Sequence, residues 1–135
     1  MTTWAPFPEL ARTIDQAAID SYAELSGDRN PLHVDPEYAA TGPFGGIVAH
    51  GPIGLQTIFD AVARWLGHDR LPPGVVVDVA LRGPVRAGDT VTCRATADPL
   101  DHAAAVTLPL VCTNQRGEEI LQALVIAPRG LVPRG

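Results

Sequence analysis

Apolar residues recur at helical spacing in the first half of the chain and at strand spacing in the second, and the period changes near residue 70. Asp15 is a good helix N-cap. Beyond it Ala18, Ile19, Tyr22 and Leu25 follow one another at three- and four-residue intervals up to Gly27, a natural C-terminal stop. This predicts a short amphipathic helix. The pattern returns at 52–66, where Ile53, Leu55, Ile58, Phe59, Val62, Trp65 and Leu66 are apolar and Gly67 ends the run. Pro52 suits a first helical turn, where its missing N–H is not needed. Ala61 and Ala63 widen the apolar face and leave Gln56, Thr57, Asp60 and Arg64 as the polar positions, so this helix is expected to be mostly buried. Between the two helices, residues 28–51 are rich in Gly and Pro, with one short helix-like piece at 36–40. A long ordered loop of this kind in a small domain is usually functional.

After Leu71-Pro72-Pro73-Gly74 the texture becomes β-branched. Strands are expected at 75–81, 90–97, 104–113 and 119–126, separated by Gly, Asp, Asn and Pro, and together they would form an antiparallel meander. A further short strand at 10–14 brings the sheet to five. Such a sheet needs an apolar partner on one face, and the 52–66 helix supplies it, which makes the expected class α+β. Pro109 lies inside the third long strand and should place that stretch on an edge or at a bulge.

Composition narrows the picture. The chain has 135 residues, 46% of them hydrophobic, enough for one domain with a full core. Its formal charge is −5 with no basic run, which argues against nucleic acid or an anionic membrane as partner. Neither a signal-peptide pattern nor an apolar stretch of membrane-spanning length is present, so a cytoplasmic location is expected. Cys93 and Cys112 stand apart from each other in sequence and from any metal or redox spacing, and read as buried reduced thiols. Residues 131–135, LVPRG, resemble an expression-tag remnant, which leaves 1–130 as the single domain.

Two clusters could carry chemistry. The first is Ser26-Gly27-Asp28-Arg29-Asn30-Pro31-Leu32-His33-Val34-Asp35, where a helix gives way to the loop. By composition it is a turn. Yet a carboxylate and an imidazole five residues apart, on a segment stiffened by Pro31, can share one water and pass its protons without a nucleophile. The second is Phe44-Gly45-Gly46-Ile47-Val48-Ala49-His50-Gly51-Pro52, which leads into the buried helix. The N–H of Gly51 could meet a ligand oxygen with the helix dipole behind it, or the glycine could simply allow close packing. His50 more often serves as a buried structural residue.

The segment from Tyr22 through Asp28-Arg29-Asn30-Pro31-Leu32-His33 to Ala39 closely resembles the hydratase-2 signature of MaoC-like, R-specific enoyl-CoA hydratases. Ala49-His50-Gly51 falls where that family has its oxyanion glycine, and the stretch from Leu81 to Val91 resembles the family's Pro-Val…Gly-Asp turn. The resemblance implies a single hot-dog fold, a curved five-stranded sheet wrapped around a central helix. It implies a lyase that interconverts trans-2-enoyl and (R)-3-hydroxyacyl thioesters. Asp28 and His33 would be the catalytic pair, Gly51 the oxyanion donor, and Asn30 and Pro31 would fix the loop. Asp35 would cap the next short helix. No metal and no cofactor is implied beyond the CoA or phosphopantetheine of the substrate, and the expected assembly is a homodimer, with acyl carrier protein as a further candidate partner. Arg82 and Arg86 are candidates to contact thioester phosphates, although solvated surface arginines are the commoner case. Pro52 stands where relatives often carry Met. Two other functions compete: a hot-dog thioesterase, for which Asp60 is the sole acid on the central helix, and a non-catalytic acyl-thioester-binding or supporting subunit of a heteromeric dehydratase.

Overall fold

Asp15 starts the first helix, as its place at the head of the apolar pattern predicts. In the computed structural model, which describes residues 4–135, its carboxylate accepts the Ala18 N–H at 2.9 Å and opens α1 (Gln16–Ser26). Gly27 ends α1 in the left-handed region at φ 77°, its N–H returning to the Ala23 carbonyl. Of the predicted stripe, Ile19 is buried whereas Leu25 is 86% exposed, and Ala23, outside the stripe, is buried as well.

The loop holds two short helices where sequence pattern anticipates one. α2 (Pro31–Val34) and α3 (Pro36–Ala40) share one device, an Asn or Asp cap followed by Pro at the first turn. Asn30 accepts the Leu32 N–H at 3.0 Å, and Asp35 accepts those of Glu37 and Tyr38 at 3.1 and 3.2 Å, so Asp35 is the cap it was expected to be. α4 (Gly51–Trp65) follows. It buries Gly54, Thr57, Ile58, Ala61, Val62, Ala63 and Trp65 against the sheet. Burial of side chains such as Ile58 and Val62 stabilises the fold by about 1.5–3 kcal/mol each.

The strands are β1 (Leu10–Ile14), β2 (Val76–Leu81), β3 (Asp89–Ala95), β4 (Leu100–His102), β5 (Ala105–Thr113) and β6 (Glu119–Pro128). They form one antiparallel sheet in the order β1-β3-β5-β6-β2, with β4 added beside β5. The expected meander is therefore corrected: β2 pairs with β6 at the far edge, and β3, β5 and β6 alone run as neighbours from the predicted set. The cause lies in residues 82–88. Arg82 and Gly83 donate to the Ile120 carbonyl at 2.9 and 3.3 Å, Pro84 has no N–H, and 85–87 pair with 47–49 instead of turning back on β2. Ala49 N donates to Val85 O at 2.7 Å and Ala87 N to Ile47 O at 3.3 Å, with a bridge between Val48 and Arg86.

Pro109 lies in the central strand β5, opposite Leu124 of β6. Its carbonyl accepts from Thr96, just past the end of β3, and a strand residue turns its N and O to the same side. The missing N–H thus faces the break between β3 and β4, a local edge within the sheet. Cys93 and Cys112 are not isolated in space. They oppose one another across β3 and β5, both fully buried and both free thiols. Interaction with Cys112 and burial together push the Cys93 thiol well above its ordinary range. Residues 131–135 lie against the start of the described chain: Val132 is buried, Ala5 N donates to Pro133 O at 2.9 Å, and Arg134 stacks on the Trp4 ring at 4.1 Å.

Candidate functional site

The turn after α1 is built from local bonds that fix Asp28. Ser26 Oγ donates to the Tyr22 carbonyl at 2.7 Å and accepts the Asp28 N–H at 3.1 Å, while Asp28 Oδ1 accepts the Asn30 N–H at 3.2 Å. One carboxylate oxygen is therefore tied to the loop backbone. Asn30 and Pro31 then start α2, which carries His33 in its last turn. Asn30 contributes a cap bond to the Leu32 N–H, and Pro31 a fixed φ at the first turn.

His33 is anchored from the second cluster. Val48 N donates to the Leu32 carbonyl at 3.1 Å, and the His33 Nδ1–H donates to the Val48 carbonyl at 2.6 Å. A carbonyl can only accept, so Nδ1 carries the proton and Nε2 keeps its lone pair in the neutral ring. His50 follows the same logic. Its Nε2–H donates to the Asp28 backbone carbonyl at 2.8 Å, which leaves Nδ1 with the lone pair, buried and without a partner among the described residues. The rings of His33 and His50 are 3.9 Å apart between centroids, and Tyr22 packs on His50 at 4.7 Å. An Asp28 carboxylate oxygen and one nitrogen of each histidine lie within 4.8 Å of one another.

Sequence spacing pointed to Asp28 and His33. It left His50 and Tyr22 out of the site, because their approach depends on the 47–49 segment pairing with α2 and with 85–87, a long-range contact with no periodic signal. Burial of His50, 3% exposed, agrees with the structural role expected of it.

Gly51 is the first residue of α4, directly after His50. Pro52 lacks an N–H, and the Ile53 N–H donates to the His50 carbonyl at 3.1 Å, so Gly51 offers the uncommitted donor of this helix start among the described residues. It borders a cavity of about 480 Å³, whose largely apolar wall includes Phe44, His50, Gly54, Leu81, Val85 and Leu121. A second hollow of about 360 Å³ is lined by Tyr22, Leu25, Pro52 and Ile53. The polar cluster thus has apolar space beside it on the His50 and the Tyr22 sides.

Arg82 and Arg86 are both engaged within the chain. Arg86 donates to the Phe44 carbonyl and braces the loop, whereas Arg82, on the cavity wall, donates to Gln122 Oε1 at 3.1 and 3.2 Å. Asp60 is paired with Arg12 at 2.5 Å and accepts from Gln56 at 2.8 Å, and it is not among the residues lining the cavity at Gly51.

Comparison with known proteins gives this geometry a context. A family model described as MaoC like domain matches residues 5–102. A 3-hydroxybutyryl-CoA dehydratase of Methylorubrum extorquens is 35% identical over 127 residues, covering 89% of this chain and 77% of the relative. An (R)-specific enoyl-CoA hydratase of Rhodospirillum rubrum is 37% identical over 109 residues, covering 77% of this chain and 72% of that protein. Among solved structures, the (R)-hydratase from A. caviae involved in PHA biosynthesis superposes with a TM-score of 0.75 at 25% identity, covering 95% of this chain and 96% of that one. The sheet and its central helix therefore agree with the matches: this chain belongs to the MaoC-like domain family and has the hot-dog fold of the R-hydratases.

Proposed function

We propose that this protein hydrates trans-2-enoyl thioesters to (R)-3-hydroxyacyl thioesters, and catalyses the reverse dehydration, with Asp28 and His33 acting on one water. The observation that carries this reading is the convergence of the Asp28 carboxylate and the His33 imidazole, whose lone pair is directed by the Nδ1–H bond to Val48, together with His50, the residue that precedes the uncommitted Gly51 N–H at the start of α4.

In hydration, Asp28 takes a proton from the water as its oxygen bonds to Cβ. The Cα–Cβ double bond opens towards the thioester carbonyl, giving an enolate. The Gly51 N–H, with the α4 dipole behind it, donates to that oxygen where negative charge develops. His33 Nε2 holds the same water and passes to Cα the proton that Asp28 has taken from it, so that one H and one OH are added overall and both side chains regain their starting state. The acyl chain would lie in the apolar cavity that Gly51 borders. No metal or redox group is required by these steps; CoA or phosphopantetheine enters as part of the substrate, and Arg82 stands at the cavity wall as a candidate phosphate contact. The R configuration follows from the relatives alone.

A homodimer fits the exposed edge. β2 ends the sheet with Val76 52% and Leu81 67% exposed, and Leu81 also walls the cavity, so a second copy along β2 would continue the sheet and close that wall. A supporting subunit of a heteromeric dehydratase would keep the fold yet have no use for the Asp28–His33 pair. Thioester hydrolysis is disfavoured because Asp60 is committed to Arg12.

The test is loss of conjugated enoyl-thioester absorbance with crotonyl-CoA and longer trans-2-enoyl-CoAs, followed by chiral analysis of the product. The expected result is consumption to the (R)-3-hydroxyacyl thioester. Hydrolysis to free CoA, or no reaction with any CoA or carrier-protein thioester, would contradict it.

A further inference from the structure

We propose that Asp28, His33 and His50 together form a binding site for a borderline divalent transition-metal ion, Zn²⁺ or Cu²⁺, and that an ion there blocks the water-activating pair. The occupancy rests on the geometry of three side chains. The block rests, in addition, on the reading given under Proposed function.

Three observations support the site. One donor atom from each residue, a carboxylate oxygen and two imidazole nitrogens, lies within 4.8 Å of the others. Both histidines also have the support that metal-binding histidines usually have: one ring N–H donates to a backbone carbonyl, His33 Nδ1 to Val48 at 2.6 Å and His50 Nε2 to Asp28 at 2.8 Å. That bond fixes the tautomer and leaves the opposite nitrogen unprotonated. Finally, His50 Nδ1 is buried in a residue 3% exposed and has no partner among the described residues, a cost that coordination would remove.

The donor set selects the ion. Two imidazoles and one carboxylate suit zinc or copper, while magnesium and calcium favour oxygen-only sites. An ion about 2.0–2.2 Å from each donor would bring the donors to roughly 3.5 Å of one another. Closing that gap takes side-chain movement of the exposed Asp28, one of whose carboxylate oxygens is tied to the loop, and of the half-buried His33, while His50 stays fixed. An ion so bound occupies the place of the reacting water and uses the His33 lone pair and an Asp28 oxygen, so neither can accept a proton.

The chain has four histidines, which makes the experiment decisive. His68 and His102 are exposed and can be removed together as His68→Gln/His102→Gln. The ion is added alone: Zn²⁺ followed by calorimetry, and Cu²⁺ by electron paramagnetic resonance. The expected result is one ion per chain in both wild type and this double variant, with a copper signal split by two imidazole nitrogens. His33→Gln and His50→Gln, each retaining an N–H donor, should then weaken binding at least about tenfold. Thermal melting checks their fold, and the half-buried His33 variant carries the test if the buried His50 variant does not fold. Binding that disappears in His68→Gln/His102→Gln, or a copper signal with fewer than two nitrogens, overturns the site. For the block, Zn²⁺ should lower the rate of enoyl-CoA hydration and a chelator should restore it. Binding at His33 and His50 without inhibition overturns that part. Binding at these residues in a protein with no hydratase activity leaves the site standing and defeats the hydratase reading instead.

Discussion

At the scale of single residues, the site depends on a charge that does no chemistry. Asp89 is 2% exposed and closes the turn that carries Arg86 beside Val48. Burial by itself would push its carboxyl up. The Arg86 backbone N–H at 2.9 Å and the Gln115 and Arg116 side chains outweigh that and hold it below the ordinary aspartate value. A carboxyl lowered on folding stabilises the native state above the unfolded pKa of about 3.9. That contribution fades as pH drops past this value and is gone below the folded one. Asp89→Asn should therefore cost about 1.5–3 kcal/mol at pH 7, the range for hydrogen bonds to a charged group. Its stability should also fall less steeply than wild type below about pH 4, where the unfolded aspartate begins to bind a proton. Urea denaturation at steps from pH 7 to pH 3 measures both effects, and parallel acid limbs would contradict the assignment. Asp28, His33 and Gly51 were legible as residues because short-range spacing and the family signature name them. Asp89 was not, since its partners at 115 and 116 come from a different turn.

At the scale of elements, the junction between His50 and α4 sets the Gly51 N–H directly after a histidine whose ring packs on His33. The oxyanion role belongs to an amide hydrogen, so substitutions that keep or delete it should separate sharply. A Cβ at Gly51 would meet nothing within 4 Å, which makes Gly51→Ala a change without steric effect. Proline is tolerated at a first helical position, and His50, at φ −59° and ψ 142°, already has the extended backbone that precedes proline. On a Pro52→Ala background, which avoids a proline pair, Gly51→Ala should retain most activity. Gly51→Pro should lower kcat by about 10²–10³-fold, the usual loss for one oxyanion donor. Equal rates in the two variants would remove Gly51 from the mechanism. The helices and strands themselves were largely readable, because caps, Gly stops and β-branched runs are local. The order of the strands was not: the placement of β2 is decided by bonds from 82 and 83 to Ile120 and from 85–87 to 47–49, which no local pattern encodes. The contact of Cys93 with Cys112 was hidden for the same reason, being a matter of register between β3 and β5.

At the scale of the whole molecule, the sheet has two unlike edges. β1 presents Ala11, Arg12 and Thr13 to solvent, a polar edge with little to offer a partner. β2 presents Val76 and Leu81 and adjoins the cavity. Dimerisation along β2 predicts that Val76→Lys combined with Leu81→Lys shifts the protein to monomer in analytical ultracentrifugation. Activity should fall with the dimer, because Leu81 would then lose the second wall that shields the substrate. A variant that stays dimeric places the contact elsewhere, and an active monomer would show that one copy builds the whole site. The α+β character of the chain could be anticipated from the hydrophobic period alone. Its assembly could not, since an edge strand and a buried strand share the same alternation.

The central claim is that Asp28 and His33 act together on one water. The most direct measurement is kcat/KM for trans-2-enoyl-CoA hydration by wild type, Asp28→Asn and His33→Ala, each shown by thermal melting to be folded. Both substitutions should lower the rate by about 10²-fold or more, as loss of a positioned acid or base does. Folded variants that hydrate enoyl-CoA as fast as wild type would contradict the account.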